Sequence, residues 1–443
     1  MPPEAVRAAV AALTADEVAE QRWFGGKGAE LGPISLAGTL GPFGRNEWLL
    51  ALAVGADTYL IPAAIAGGRI AEAREPLWQA LAEACRTGAR LGGDGMELRG
   101  LAGPLAADAP ADGVRPLGID QSNTSVVLGE QLVLKCYRRL TPAPHPEIEL
   151  TRYLAGHGLD DLPAVHGSAD VRVGGAPAAG ALLLQDYIAD GRDGWLAAED
   201  ELRTLIEAAD VDAAAAAPRH WGPAVGKATA ELHALFAVAD EPGLTPRWAT
   251  RAELTALRAA AGAQLDEALS LLEGEPRREL QRAAPFLRER FALFERATPP
   301  LLTRVHGDLH LGQFLSRIGR SPALVDFEGE PTRSSGERRL LASPMRDLAG
   351  LLRSVDHAAH WVSHEPSPVA DAWVGAARRA IRSSYERRLG ELGAPFALDA
   401  QLLAAFEADK AVYEFIYAAS FLPSWLDVPR RALGPLVSEV RCD

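Results

Sequence analysis

Cysteine is scarce in this chain, and its scarcity excludes two kinds of fold. Three cysteines, Cys85, Cys136 and Cys442, are spread over 443 residues. An odd number at wide spacing fits neither a disulfide framework nor a set of zinc ligands. We therefore expect a protein of the reducing cytoplasm.

Long apolar runs and excess positive charge are also missing. No apolar run approaches the roughly 18 residues of a membrane-spanning helix. Residues 1–24 lack the basic start and apolar core of a secretory signal and predict a short amphipathic helix. The formal net charge of −14 disfavours nucleic acid, whose phosphate backbone needs a basic face. We expect neither a membrane nor a nucleic acid as partner.

The first 190 residues predict strands with a few helices. Apolar runs separated by glycine predict hairpins, and a Gly/Ala/Pro/Asp-rich run predicts a linker. The predicted elements are a hairpin at 47–54 and 57–65, a helix at 74–89, a linker at 102–117, a hairpin at 122–129 and 131–139, a helix at 146–158 and a strand at 181–188.

The rest of the chain is predicted to be mostly helical. Long helical patterns run over 222–237, 250–296, 345–361, 367–391 and 398–419, with short strands at 302–306 and 323–327. A strand-rich part followed by a helical part predicts an α+β fold.

Polar side chains crowd one segment of this helical part, "LLTRVHGDLHLGQFLSRIGRSPALVDFEGEP" at 301–331. Three interpretations are open. The segment can be a polar turn. It can hold a transition metal, since His306, Asp308 and His310 would share one face of a strand, although Gly307 interrupts it. It can also transfer a phosphoryl group. In that case Asp308 accepts the hydroxyl proton, and Gln313 and Asp326 supply the oxygen atoms that Mg²⁺ prefers.

A strand lysine favours phosphoryl transfer. Lys135 lies inside the apolar run "LVLKCY" and precedes a helix carrying Glu147 and Glu149. A kinase pairs such a lysine with a helix glutamate and uses it to bind nucleotide phosphates. Of the two glutamates we favour Glu149 as the partner. The chain contains no GxxxxGK[ST] motif, which excludes a P-loop enzyme.

Two further segments are candidates for nucleotide contacts. The hydroxyl-rich turn "QSNTS" at 121–125 offers N–H and O–H groups to phosphates through Ser122, Asn123, Thr124 and Ser125. The strand "LLLQDYI" at 182–188 stands where a kinase hinge would hold adenine, beside Gln185 and Tyr187. The glycine-rich "GGKG" at 25–28 neither follows a strand nor opens a helix, and we interpret it as a structural turn.

The order of these motifs resembles a known family. Lys135, Glu149, "HGDLHLGQ" at 306–313 and "VDFEGEP" at 325–331 resemble the aminoglycoside-phosphotransferase and protein-kinase-like superfamily. More specifically, "QRWFGGKG" at 21–28, "SPMRDLAGLLRSVDHAA" at 343–359 and "FEADKAVYEFIYAA" at 406–419 resemble the actinobacterial maltokinases and the maltokinase-like glucosamine kinases. These pieces span nearly the whole chain.

The resemblance implies a bilobal kinase fold preceded by a cap. The cap would occupy residues 1–100, the N-lobe 101–190 and the helical C-lobe 191–443. It also implies a monomer that uses ATP and Mg²⁺, with Asp308 as catalytic base, Gln313 and Asp326 as metal ligands, and Lys135 on the nucleotide phosphates.

The acceptor is predicted from a departure from the family. In maltokinases the last helix, predicted here at 398–419, continues with charged groups that suit a disaccharide. This chain has "YAASFLPSWL" at 417–426 instead. Loss of hydrogen-bonding partners disfavours maltose. Carboxylates suit a cationic amino group, so glucosamine is the expected acceptor, and the family resemblance implies phosphorylation at its 6-hydroxyl. The expected sugar contacts are Asp308, His310, Glu328, Asp409, Tyr413 and Glu414.

Two other functions stay open at this point. One is a maltokinase that phosphorylates the anomeric hydroxyl of maltose. The other is a pseudokinase, that is, a regulatory nucleotide-binding module without turnover. The presence of Lys135, Asp308, Gln313 and Asp326 together favours an active enzyme.

Overall fold

The computed structural model describes residues 4–21, 24, 32–105, 113–118, 123–330 and 333–438. The chain divides into two compact units, Met1–Ala189 and Asp190–Asp443. The first unit is rich in strands and the second in helices, which confirms the α+β prediction. Within the described ranges, no helix combines the length and apolar character needed to cross a membrane.

The first unit contains two antiparallel sheets. One is a four-stranded meander, β1-β2-β3-β4, and the other has seven strands in the order β5-β6-β10-β11-β9-β8-β7. The strands are β1 (Ile34–Phe43), β2 (Glu47–Val54), β3 (Asp57–Ala66), β4 (Arg69–Glu72), β5 (Arg90–Gly92), β6 (Met96–Ala102), β7 (Val114–Pro116), β8 (Thr124–Leu128), β9 (Leu132–Cys136), β10 (Val165–Val173) and β11 (Ala179–Asp186). The helices are α1 (Glu4–Ala11), α2 (Ala15–Ala19), α3 (Glu75–Thr87) and α4 (Pro146–Gly156).

The two middle strands of the meander, β2 and β3, are buried on both faces. Alternate residues of β2 point to opposite sides of the sheet, so Leu49 joins one apolar core with α3 and the larger sheet, while Leu50 joins another with α1. The predicted hairpin is confirmed, because Val54 pairs with Asp57 across its turn. Both predicted helices of this unit and the hairpin of β8 and β9 are confirmed as well.

The predicted boundary at residue 100 falls inside β6, a strand of the seven-stranded sheet. The proposed cap and the proposed N-lobe therefore share one sheet. Helix α3 packs closely on this sheet at Gly100, where an added Cβ would lie 1.8 Å from the carbonyl oxygen of Ala84. The sheet is therefore continuous across residue 100, although composition predicts a linker directly after it.

The predicted linker at 102–117 is wrong at its end. Residues Val114–Pro116 form β7, the edge strand that pairs with β8. Three residues are too few to show alternating hydrophobicity. Residues 106–112 of the predicted linker lie outside the described residues, as does the GGKG segment.

The second unit is built from helices and short strands. Its helices are α5 (Gly194–Ala208), α6 (Val211–Ala216), α7 (Gly222–Phe236), α8 (Arg251–Leu271), α9 (Gly274–Arg296), α10 (Ser335–Arg338), α11 (Pro344–Val362), α12 (Pro368–Leu392), α13 (Ala400–Phe421) and α14 (Asp427–Ser438). The strands are β12 (Arg247–Trp248), β13 (Leu301–Leu302), β14 (Phe314–Arg317) and β15 (Arg320–Leu324). Three-residue 3-10 turns lie at Ala217–Arg219, Leu311–Gln313 and Pro423–Trp425.

The long helices begin where local sequence signals place them. Ser343, Ser367 and Asp399 each accept a backbone N–H in the first turn of α11, α12 and α13. Such caps satisfy donors that the helix itself leaves unpaired. The helical stretch predicted at 250–296 is two helices, because Leu272 adopts an extended conformation at the end of α8.

Candidate active site

The loop after β13 carries Asp308 and is held in place by hydrogen bonds to α11. Gly307 has a φ of +88°, which makes the turn that the sequence predicts before Asp308. The buried carboxylate of Asp347 accepts hydrogen bonds from the backbone N–H groups of His306 (2.6 Å) and Gly307 (2.9 Å). The Asp308 side chain stays partly exposed, at 26%. The carboxylate of Asp347 therefore determines the shape of the loop that presents Asp308.

The same carboxylate is tied to two other helices. His233 Nε2 of α7 lies 3.2 Å from Asp347 Oδ2, and His233 Nδ1 lies 2.9 Å from the Tyr385 hydroxyl of α12. Burial opposes ionisation of Asp347. The hydrogen bonds from His233 and the Gly307 N–H, together with electrostatic interactions with His233 and His306, outweigh burial and lower the pKa of Asp347. Asp347 is therefore a charged anchor, a role that the sequence did not reveal.

His306 braces the loop instead of facing a metal. Its Nε2 lies 2.9 Å from the carbonyl oxygen of Val325, and its ring packs on Phe327 with centroids 4.6 Å apart. These contacts are those of a buried structural histidine. They remove the support for a transition-metal site on alternating histidines.

Gln313 and Asp326 are placed by one hairpin. Strands β14 and β15 pair Phe314 with Leu324, and the Val325 N–H donates to the Gln313 carbonyl oxygen at 3.0 Å. The residue that follows, Asp326, is exposed and has a φ of +65°. A non-glycine residue in this region costs about 1–3 kcal/mol, and such costs concentrate at functional sites. The hairpin thus brings the two predicted metal ligands to the same end.

His310 orients the Gln313 amide. The backbone N–H of Gly312 donates to His310 Nδ1 at 3.1 Å, and His310 Nε2 lies 3.0 Å from the terminal amide group of Gln313. Burial lowers the pKa of His310, so the ring is neutral near pH 7. The Gln313 atom in this contact is the amide nitrogen, Nε2. His310 thus supports Gln313, and its predicted contact with the sugar stays a prediction.

The donor set fits a hard divalent cation. The amide oxygen of Gln313 is an acceptor with two lone pairs, and Asp326 contributes a carboxylate on the adjoining strand end. Both are oxygen ligands of the kind that Mg²⁺ prefers over imidazole. These two residues could therefore hold the metal that the family resemblance implies.

Replacing His310 with alanine should raise the Mg²⁺ concentration for half-maximal activity by about 10–100-fold, because outer-shell partners orient metal ligands. Activity would be measured against Mg²⁺ at saturating ATP and acceptor. The exposed His220 provides the matched control, His220→Ala, which should leave the Mg²⁺ dependence unchanged. An unaltered Mg²⁺ dependence in His310→Ala would contradict the positioning role.

A cluster of three cations surrounds Glu330 next to Asp308. Glu330 lies 2.8 Å from Lys410 Nζ, 2.6 Å from Arg346 Nη2 and 2.8 Å from Arg333 Nε. Burial opposes its ionisation, but Lys410 and Arg346 outweigh this and hold the pKa of Glu330 well below its usual range. Lys410 Nζ also lies 3.7 Å from Asp308 Oδ1. The cluster therefore places a positive charge beside the candidate base.

Sequence reasoning missed Lys410, although a signal was present. Lys410 stands on α13 among the buried residues Phe406, Ala411 and Val412. The argument that singled out Lys135, a charge in an apolar element needing a partner, applies equally to this helix. Burial tends to lower the pKa of Lys410, but Glu330 and Asp308 raise it overall, so it is charged at neutral pH.

The predicted sugar contacts separate into two groups. Asp409 and Tyr413 line a pocket together with Asp308. That pocket encloses only about 30 Å³, so a sugar ring would lie over it and not inside it. Gln264 Nε2 donates to Asp409 Oδ1 at 3.2 Å, and Lys410 Nζ lies 4.5 Å from the centre of the Tyr413 ring.

Glu414 and Glu328 are not in the lining of this pocket. Glu414 is buried in an ion pair with Arg353 (2.6 Å) and His357 (2.8 Å), which corrects the expectation that it offers its carboxylate to an amino sugar. In the sequence, Glu414 is one of several acids on α13 and resembles a sugar ligand. Only its contact with the buried Arg353 of another helix shows that its carboxylate is already paired. Glu328 is half-buried, and its role stays a prediction.

In the first unit, Lys135 pairs with Glu147. Lys135 Nζ lies 2.8 Å from Glu147 Oε2, which also accepts the Tyr137 hydroxyl at 2.6 Å. The choice of Glu149 over Glu147 is corrected accordingly. Glu147 is 2% exposed, whereas Glu149 is only partly buried. Lys135 and Tyr137 are two residues apart and share a strand face, which lets both side chains contact Glu147.

The hydroxyl-rich turn is partly engaged by a neighbouring arginine. Asn123 Oδ1 accepts the Arg138 backbone N–H at 3.3 Å, and Thr124 Oγ1 accepts Arg138 Nε at 2.7 Å. Ser125 pairs directly with Lys135 across β8 and β9. Ser122 lies outside the described residues. Phosphate contacts by this turn stay a prediction.

The candidate hinge continues from β11. Gln185 pairs with Val133 in the sheet, and the Tyr187 N–H donates to the Gln131 carbonyl oxygen at 2.7 Å. The Tyr187 hydroxyl accepts from Arg115 at 3.1 Å. The Tyr187 N–H is therefore already engaged, and adenine contacts at Gln185 and Tyr187 stay a prediction.

Comparison with known proteins defines the class. Residues 113–392 match the model of the phosphotransferase enzyme family, and the chain belongs to that family. The predicted class, an ATP-dependent kinase acting on a sugar hydroxyl, is confirmed.

More particular relatives are glucosamine kinases. The chain is 32% identical over 340 residues to one from Streptacidiphilus jiangxiensis, covering 75% of each chain. It is 33% identical over 343 residues to one from Mycolicibacterium smegmatis (strain ATCC 700084 / mc(2)155), covering 75% of this chain and 82% of the relative. A solved glucosamine kinase in complex with glucosamine, ADP and inorganic phosphate superposes with a TM-score of 0.75 at 26% identity, covering 99% of this chain and 100% of that chain. These findings confirm the resemblance to maltokinase-like sugar kinases.

Proposed function

We propose that this protein transfers the γ-phosphoryl group of ATP to the 6-hydroxyl of glucosamine. The observation that carries the proposal is its similarity to glucosamine kinases over most of the chain. The catalytic aspartate, the oxygen ligands and the paired strand lysine support it, because a phosphotransferase needs all three. Their joint presence also argues against a pseudokinase.

The proposed reaction divides the work among these residues. The Asp308 carboxylate accepts the proton of the sugar hydroxyl as that oxygen bonds to the γ-phosphorus. The bond from the γ-phosphorus to the bridging oxygen then breaks, and ADP leaves. Lys135, held by Glu147 and Tyr137, binds the nucleotide phosphates. A magnesium ion on Gln313 and Asp326 would neutralise phosphate charge.

Lys410 has a proposed electrostatic role. It lies 3.7 Å from Asp308 and is fixed by Glu330. The Lys410 ammonium group attracts the Asp308 carboxylate at that distance. Lys410 therefore helps to hold Asp308 in place for accepting the hydroxyl proton.

Three broader features belong to the same proposal. Residues 1–100 act as a cap, 101–190 as N-lobe and 191–443 as C-lobe, with cap and N-lobe sharing the seven-stranded sheet. The enzyme acts as a monomer. The few cysteines, of which Cys85 and Cys136 are buried and unpaired, suit the cytoplasm.

The raised pKa of Asp409 predicts that glucosamine binding depends on pH. Burial raises the pKa of Asp409 to about 6, and Glu330 adds to this. A carboxylate attracts an ammonium group only when it is ionised, so the KM for glucosamine should fall as pH rises through 6. The profile would be measured in the wild type and in Asp409→Asn, with glucose as the uncharged reference acceptor. A wild-type profile identical to that of Asp409→Asn would contradict the assigned contact.

The acceptor itself is tested by comparing four sugars. ADP release would be measured with glucosamine, glucose, maltose and an aminoglycoside at equal concentrations. We expect the highest kcat/KM for glucosamine. A preference for maltose would contradict the proposal and show that the loss of charged groups at 417–426 does not govern the acceptor.

A further inference from the structure

A second cavity lies in the helical unit, apart from the pocket beside Asp308. It encloses about 850 Å³ between the second half of α11 and the first halves of α12 and α13, with Arg290 of α9 and Arg431 of α14 on its wall. None of its lining residues belongs to the pocket beside Asp308. Its volume falls within the range of about 300–1,000 Å³ that small-molecule sites occupy.

Three arginines on this wall have no ionic partner among the described residues. In the described part of the chain, the side chains of Arg290, Arg379 and Arg382 make no ion pair and no hydrogen bond. Arg379 and Arg382 are three residues apart on α12 and so share one face. Gly375, also on the wall, lies close to Arg379, since an added Cβ there would be 3.1 Å from Arg379 Nη1.

The nearest buried carboxylates are already neutralised. Asp356 accepts from Arg378 Nη1 at 2.9 Å, and Glu407 pairs with the same guanidinium. Asp356 also lies 3.6 Å from the buried Arg353. The two buried acids are therefore unable to balance the three unpaired arginines.

The remaining wall is positively charged. Arg431 donates to the carbonyl oxygens of His360 and Ser363, each at 3.5 Å, which leaves its charge uncompensated. Only Glu365 and Asp371 remain among the lining residues to oppose these cations. The pKa of His360 is lowered to about 4, and burial is the largest cause. Electrostatic interactions with Arg353, His357 and Arg431 lower it further, as expected beside positively charged groups. This wall is unusual in a chain whose net charge is −14.

We propose that this cavity binds a small metabolite carrying phosphate groups, through Arg290, Arg379 and Arg382. The planar guanidinium fork matches the oxygen atoms of a phosphate and binds them in pairs. The enclosed volume accommodates a sugar bisphosphate. The site is separate from the proposed phosphotransfer site and does not depend on the identity of the acceptor.

The test is calorimetric titration of the full chain with fructose 1,6-bisphosphate, inorganic phosphate and citrate, without ATP. The test variant is Arg379→Gln/Arg382→Gln. Glutamine keeps helix propensity, and neither side chain makes an ion pair in the described residues. Arg387→Gln is the matched control, since Arg387 is an exposed arginine of the same helix outside the cavity lining. Arg290→Gln, on a different helix, is the second variant.

We expect the bisphosphate to bind the wild type and Arg387→Gln equally, and the double variant at least about tenfold more weakly, since hydrogen bonds to charged groups contribute about 1.5–3 kcal/mol. Arg290→Gln should weaken binding in the same direction. Absence of bisphosphate binding to the wild type, or equal binding by all four proteins, would overturn the proposal. Arginine-dependent binding of citrate without binding of either phosphate probe would overturn the assignment of a phosphate ligand.

Discussion

Asp308→Asn should reduce glucosamine-dependent ADP release by about 10²–10⁴-fold, because a positioned general base contributes a factor of that size. Asparagine has the same shape but cannot accept the hydroxyl proton. Asp308 is partly exposed and its closest charged neighbour, Lys410, is 3.7 Å away, so the fold should be retained. The loss should appear in kcat.

The control separates a catalytic loss from a damaged protein. Nucleotide binding by Asp308→Asn, measured by calorimetry, should match the wild type. Asp266→Asn removes a carboxylate that is 68% exposed and pairs with Arg288, and it should retain full activity. If Asp308→Asn turns over at a near-normal rate, the assigned base is wrong.

Asp347→Asn should destabilise the protein and lower its turnover together. Asp347 accepts from three donors, the N–H groups of His306 and Gly307 and the His233 ring. An asparagine amide nitrogen would face one of those N–H donors, and disrupting such a buried charged network costs about 3–5 kcal/mol. We expect a clear drop in the thermal unfolding temperature. We also expect a lower kcat, because the loop that carries Asp308 loses its anchor.

The exposed Asp240 serves as the comparison for this variant. Asp240→Asn makes the same chemical change without a buried hydrogen-bond network and should unfold at the wild-type temperature. A wild-type unfolding temperature and kcat in Asp347→Asn would show that the loop does not depend on this carboxylate.

Sequence reasoning succeeded for features whose sequence pattern and resulting structure lie within one short segment of the chain. The short strand predicted at 323–327 is present as β15 and leads to Asp326, whereas its partner β14, which follows Gln313, was not predicted. The turn at Gly307 is determined by residues next to it in the chain. The same holds for the helices that follow the capping residues Ser343, Ser367 and Asp399. The family resemblance added the roles of these residues.

The remaining features depend on contacts between distant parts of the chain. Glu147 and Glu149 lie on one helix, and only the packing of α4 decides which of them meets Lys135. Glu414 resembles a ligand in sequence but is neutralised by Arg353 of another helix. The anchor at Asp347 joins α7, α11, α12 and the loop that carries Asp308. No pattern within one segment encodes such a meeting.

The most direct test of the proposed function is the chemical identity of the product. Purified protein would be incubated with ATP, Mg²⁺ and glucosamine, and the products would be identified by phosphorus and proton NMR. We predict equal amounts of ADP and glucosamine 6-phosphate, with neither formed by Asp308→Asn. ADP formed without a phosphorylated sugar, or a phosphate attached at the anomeric oxygen, would contradict the proposed function.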